Sequence, residues 1–254
     1  MKLSLQKRVI IEKYMTGTKV DIYYGVIDNK IYKLSTCDTV MSVKNQAKKV
    51  IQDAWIYPHR NDQKLLKEEP ALQNMIKDMG ISNGCIFFSG FYDEENSNYT
   101  FFECGFRLEG GCQYNYTEKK GPFNFLDLFI YHALIGSAKN ISFTEKNKPN
   151  LKQVTVNYYA REGTIREIKG FDTVAKMPDC ILSLVDAKVG EECYDNQAIL
   201  TKVGMFSIAG EDSKQLEESV RKAMNQIVVL DENGNDMIYS KFDYKNISDW
   251  WNKV

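Results

Sequence analysis

The stretch Asn98 to Cys112, NYTFFECGFRLEGGC, constrains this chain more than any other. Tyr99, Phe101, Glu103, Gly105 and Arg107 alternate with Thr100, Phe102, Cys104, Phe106 and Leu108, and a period of two marks a half-buried strand. The even positions are apolar and define the side expected to face a core. The odd positions set a carboxylate and a guanidinium two steps apart with only Gly105 between them, which leaves the backbone open to a bulky charged group. Gly110-Gly111 follow at once, with backbone N–H groups that no side chain shields. Such a surface suits a divalent cation carried by a polyphosphate. Taken alone it also fits an exposed strand with an ion pair of little energetic worth.

The rest of the chain narrows the setting. At 254 residues and 43% hydrophobic it can bury one large core or two smaller ones. A formal net charge of -1 and the lack of a long Lys/Arg run give no pull towards nucleic acid or anionic lipid. No run of 18 apolar residues occurs, and MKLSLQKRVII has no apolar block with a small-residue cleavage site, so no membrane partner is expected and the expected location is cytoplasmic. The six cysteines lack CxxC spacing and the only histidines are His59 and His132, which favours reduced thiols over disulfides or zinc.

In chain order, residues 8–37 predict a three-strand meander with turns at 16–18 and Asp28-Asn29. Signals are mixed over 42–60. A helical period through Leu65, Leu72, Met75, Ile76 and Met79 ends at Gly80. A strand over 84–92, a polar turn over 93–98 and the Asn98 strand predict a hairpin. After Pro122, Phe125, Leu126, Phe129, Ile130, Ala133 and Leu134 form a broad stripe expected to be core. Residues 142–150 lack periodicity and predict a linker. Beyond it QVTVNYYA, GTIREIKG, CILSLVDA and VGMFSIAG are short strand candidates; Asp212 is a helix cap with Gln215 three residues on, and Val228 to Leu230 with Asn233-Gly234 predict a closing hairpin.

Three of these segments together resemble the ATP-grasp family, the fold of biotin carboxylase, the carbamoyl-phosphate synthase large subunit, D-alanine–D-alanine ligase and the L-amino-acid ligases. Glu12-Lys13-Tyr14-Met15 looks like the hinge strand whose backbone seats adenine, with Lys19 and Asp21 near the ribose place. The hairpin resembles the pair of strands that holds magnesium on ATP phosphates: Glu103 and Arg107 match a Glu-x-Asn-x-Arg pattern, and Ser89 stands at the first-strand position. The region after the linker resembles the C-terminal domain of biotin carboxylase and the L-amino-acid ligases.

The resemblance implies an α+β chain. Residues 1–141 would be the C-terminal portion of an ATP-grasp domain, an antiparallel sheet with helices, and 151–254 a small β-rich domain with one helix. It implies a carboxylate–amine ligase that uses ATP and Mg²⁺ through an acyl phosphate. Glu103 and Ser89 would face the metal, Arg107 would be catalytic, and Gly110-Gly111 would cradle the substrate carboxylate. Relatives carry phosphate-binding lysines and a glycine-rich loop upstream of the hinge strand, so the chain reads as the C-terminal part of such an enzyme, with an N-terminal half as a candidate partner. Ser89, Gly105 and Lys19 stand where relatives carry acids or asparagine, which motivates a second class: a non-catalytic binding or assembly module.

Other residues have plainer expectations. His132 reads as a core or boundary histidine, His59 as a loop residue, Cys104 as a small hydrophobe, Asp38 and Lys44 as surface charges or phosphate neighbours, and Trp250 and Trp251 as packing for the tail.

Overall fold

The structure, a computed structural model, describes residues 11, 13, 15–42, 51–120, 123–137, 150–194, 200–245 and 247–252. The chain runs β1 (Thr18–Ile27), β2 (Lys30–Met41), β3 (Gln52–Tyr57), α1 (Glu69–Asp78), β4 (Gly84–Asp93), β5 (Asn98–Gly105), α2 (Tyr114–Lys120) and α3 (Phe125–Ile135). It continues with β6 (Lys152–Tyr159), β7 (Gly163–Thr164), β8 (Glu167–Lys169), α4 (Phe171–Val174), β9 (Cys180–Val185), β10 (Glu192–Cys193), β11 (Lys202–Gly210), α5 (Ser213–Met224) and β12 (Val228–Leu230). The expected first strand of the meander lies outside the described residues apart from Ile11, Lys13 and Met15, as does all of the expected linker except Asn150.

Eight strands form one antiparallel sheet in the order β5-β4-β1-β2-β3-β6-β11-β9, so β3 pairs β6 and joins the two parts of the chain. Register carries one row of side chains across one face: Val20 opposite Asp38, then Ile56, Val154 and Ile208. This face is covered by Leu72 and Ile76 of α1 at one end and by α4 and α5 through Phe171, Val174, Leu216 and Val220 at the other. α2 and α3 cover part of the opposite face, where Tyr116, Phe125 and Leu128 pack on Tyr23, Trp55, Tyr57 and Phe87.

Local chemistry explains most boundaries. The Asp212 carboxylate accepts from the Gln215 N–H at 2.8 Å and starts α5. Asn124 does the same for α3 through the Leu126 N–H, and Gly136, with φ 67, lets the chain leave that helix. The single helix expected over 64–79 is split into a 3-10 turn over Asp62–Lys67 followed by α1, because Pro70 lacks an N–H and is suited only to a first helical turn.

Several expectations are corrected. The apolar stripe of α3 is not core: Phe125 and Leu128 are buried, whereas Ile130, Ala133, Leu134 and Ile135 are exposed, Leu134 at 77%. The helix is apolar on every side and only one side meets the sheet. β12 pairs β8, and the predicted closing hairpin is reduced to a single Leu230–Asp236 bridge. β5 lies at the sheet edge, so its even positions Phe102 and Cys104 face solvent. His59 and Asp38 are fully buried and paired through His59 Nδ1, and Asp38 also accepts from the Trp250 indole at 2.8 Å. The tail is thus pinned to the sheet.

Candidate active site

A bulge in the β4–β5 pairing sets the geometry of the hairpin. Ser89 lies opposite Glu103 but Gly90 lies opposite Phe101, so one residue is inserted in β5 and the alternation reverses. Tyr99 joins the α1-side core and Phe101 meets Phe88 edge-to-face from that side. Glu103 and Gly105 turn to the opposite face, opposite Ser89 and Phe87. The odd positions of the stretch therefore serve two faces, which an unbroken period of two does not reveal.

On that second face, register aligns Glu103, Ser89, Asp21 and Cys37 in one row. The adjoining row runs Lys19, Thr39, Trp55, Thr155 and Ser207. Asp21 is 0% exposed, and its carboxylate accepts from the Ser89 hydroxyl, from Thr39 Oγ1 at 3.2 Å and from Lys19 Nζ at 3.3 Å. A buried carboxylate needs such partners. Asp21 therefore organises the face and does not reach out towards a ribose, and Ser89 is sealed beside it. Glu103 is exposed and makes no hydrogen bond or ion pair among the described residues.

The gap expected at Gly105 is filled. A Cβ built there would lie 2.4 Å from Phe87 Cε1, so the glycine admits a ring and not a ligand. That ring supports the site, because the Arg107 guanidinium lies 5.1 Å from its centre. Gly110 borders open space, whereas Gly111 backs onto Gln113 and Trp55. Lys13 and Met15 line a recess of about 200 Å³ with Phe91, Asp93, Asn98 and Thr100; Glu12 and Tyr14 lie outside the described residues.

Sequence reasoning missed Glu109, Tyr23, Gln113 and Cys37. The Glu109 carboxylate accepts from the Tyr23 hydroxyl and from Gln113 Nε2, and Gln113 Nε2 also donates to the Tyr23 oxygen at 3.1 Å. Burial, followed by the charge of Asp21, pushes the Glu109 carboxyl up to about 7, against the pull of Tyr23, Lys19 and Arg107. Burial also raises the Tyr23 hydroxyl and the Cys37 thiol, so both stay protonated. A signal for Tyr23 was present: it follows Lys19 and Asp21 at a period of two in β1. Glu109, an acid directly before Gly110-Gly111, was equally visible.

The chain is an α+β unit built on an antiparallel sheet, and its fold is similar to that of ATP-grasp proteins. The sequence model of the L-amino acid ligase C-terminal domain 2 matches residues 157–230. Among solved structures, the L-amino acid ligase from Bacillus licheniformis is similar with a TM-score of 0.67 at 15% identity, over 87% of this chain and 55% of that one. Phosphoribosylglycinamide synthetase from Anaerococcus prevotii matches with a TM-score of 0.67 at 11% identity, over 87% and 55%. The β,γ-ATP complex of biotin carboxylase from Campylobacter jejuni matches with a TM-score of 0.56 at 14% identity, over 95% and 52%. The chain thus spans about half the length of these structures. No curated protein matches the sequence. No helix among the described residues is long and apolar enough to cross a membrane.

Proposed function

We propose that this chain is the C-terminal portion of an ATP-dependent carboxylate–amine ligase, with residues 1–141 forming part of the ATP-grasp domain and 151–254 a small β-rich domain. The observation that carries the reading is the row Glu103, Ser89, Asp21 on one face of the sheet, with Arg107 held on the ring of Phe87, the residue two before Ser89 in β4. Magnesium takes oxygen ligands and needs only one or two carboxylates when phosphates supply the rest. The donor set fits one such ion: Glu103 is free, Asp21 is consumed by its own partners, and no group of three metal-ligating side chains occurs among the described residues. Glu103 would hold the ion, which would neutralise phosphate charge.

The chain's own residues do the rest. Arg107, braced on Phe87, stabilises negative charge that develops on the transferred phosphoryl group. The open backbone at Gly110 receives the substrate carboxylate, and the recess lined by Lys13 and Met15 beside the hairpin seats adenine. Lys19 neutralises Asp21 and so keeps the face close to electrically balanced.

Calorimetry with Mg-ATP on the chain and on Glu103→Gln tests this. Binding should weaken at least tenfold in the variant, and equal affinity would remove the metal role. The saturation of Asp21 favours one further reading, a non-catalytic binding or assembly module; complete absence of Mg-ATP binding in the parent chain selects it.

A further inference from the structure

One arginine joins the C-terminal tail to the walls of the recess beside the hairpin. The recess lies between Lys13, Met15 and Thr16 on one wall and the hairpin residues Asp93 and Asn98 on the other. A second hollow of about 310 Å³ shares Thr16 and Asp93 with it, and Thr18 and Glu94 carry the two walls onward. Thr18 Oγ1 donates to Glu94 Oε1 at 3.3 Å, Arg60 Nη2 donates to the same Thr18 oxygen, and Arg60 Nη2 also pairs with that Glu94 oxygen. A single guanidinium nitrogen thus ties one wall to the other.

The hairpin wall is stiff within itself. The Asp93 carboxylate accepts from the Glu95 and Asn96 N–H groups at 3.0 and 3.2 Å and from Asn96 Nδ2 at 2.8 Å, so the turn moves as a unit. Besides Arg60 and Thr18, Lys67 holds it from outside, donating Nζ to the Ser97 carbonyl at 2.8 Å. Arg60 is in turn held by the tail. Its guanidinium lies 4.8 Å from the centre of the Trp250 ring, and the Arg60 N–H and the Trp250 indole donate to the same oxygen, Asp38 Oδ2, at 3.2 and 2.8 Å. An exposed ion pair between free side chains is worth little, whereas a planar cation fixed on an aromatic ring has already lost most of its freedom.

We propose that Arg60 is a positioning residue: by tying Glu94 to Thr18 it sets the spacing of the recess walls, and Trp250 sets Arg60, so the docked tail holds the recess ready for nucleotide. The nucleotide in this statement rests on the ligase reading. The rest goes beyond it, since it gives control of the recess to residues that touch no ligand and lie outside the hairpin, one of them 190 positions after Arg60 in the chain. Trp251, donating Nε1 to the Pro58 carbonyl at 2.9 Å, and Ser248, donating its N–H to Glu217 at 2.9 Å, fasten the tail independently of Arg60.

Hydrogen exchange at the Glu95 and Asn96 amides, whose acceptor is Asp93, reads the turn directly. Exchange there should quicken severalfold in Trp250→Leu, Arg60→Met and Glu94→Gln, with circular dichroism confirming that each variant is folded. The double variant Glu94→Gln/Trp250→Leu should exchange no faster than Glu94→Gln alone, because the tail reaches the turn through that one link. Parent rates in Trp250→Leu, or additive effects in the double variant, overturn the proposal. Glu94 is 45% exposed, so Glu94→Gln stays folded even where Trp250→Leu does not, and parent rates in it overturn the tie by themselves. Calorimetry with Mg-ATP is scored separately: affinity should fall about tenfold in Arg60→Met and Trp250→Leu. A parent chain that binds no Mg-ATP loses the ligase reading, and with it the nucleotide, while exchange still decides the positioning role. A parent that binds Mg-ATP and variants that match its affinity leave the ligase reading standing and overturn this one.

Discussion

The Phe87 ring occupies the volume that a side chain at position 105 would need, with Cε1 2.4 Å from where the Cβ of residue 105 would stand. The same ring carries the Arg107 guanidinium on its face. Packing inside the hairpin and the aim of a candidate catalytic group are therefore one feature. Gly105→Ala forces the ring aside in a tight core, which costs about 1–3 kcal/mol. Urea unfolding reads that loss, and calorimetry should show weakened Mg-ATP binding through a displaced Arg107. A variant of unchanged stability and affinity would break the link between ring and arginine.

Glu109 makes stability depend on pH. Its carboxyl titrates at about 7 in the folded chain against an ordinary 4.5, so between those values the folded state binds the proton more tightly than the unfolded state. Stability then falls as pH rises from 4.5 to 7, and the burial penalty is full above 7. Glu109→Gln removes the penalty: the variant should be more stable than the parent at pH 8, by up to about 3 kcal/mol, and nearly equal to it at pH 4. Parallel stability curves for the two chains across that range contradict the assignment.

Asp38 holds three donors at once: His59 Nδ1, the Arg60 N–H at 3.2 Å and the Trp250 indole. Asp38→Ala leaves all three without an acceptor in a buried place and should cost about 3–5 kcal/mol. The tail should loosen first, because Trp250 loses its acceptor. Limited proteolysis should cut near residues 247–252 in the variant under conditions that leave the parent intact.

The outer side of α3 makes the opposite prediction. Leu134 is 77% exposed, so Leu134→Lys should change unfolding free energy by no more than about 0.5 kcal/mol. Leu128, on the same helix but 0% exposed, should cost about 2–5 kcal/mol on truncation to alanine. Urea midpoints of the two variants check the contrast, and similar losses at both sites would mean that α3 is buried on both sides.

The sequence by itself determined what local chemistry controls. Caps at Asp212 and Gly136, the Asp28-Asn29 turn and the short apolar runs of β1, β4, β6 and β11 between turn residues each act within a few residues, so they can be read one segment at a time. The ATP-grasp resemblance was legible on the same terms, since Glu103, Arg107 and Gly110-Gly111 sit in one short stretch. Long-range geometry was decided only by tertiary structure. The bulge at Phe102 depends on which residue of β4 each residue of β5 meets, and it sends Glu103 and Tyr99 to opposite faces. α3 looked buried because periodicity reports apolar content, while burial depends on whether a second layer lies over the helix. Glu109, Gln113 and Lys202 come near Tyr23 and Trp55 from distant parts of the chain, and such proximity exists only once eight strands are laid side by side; the burial that follows then raises the Glu109 carboxyl and lowers the Lys202 ammonium.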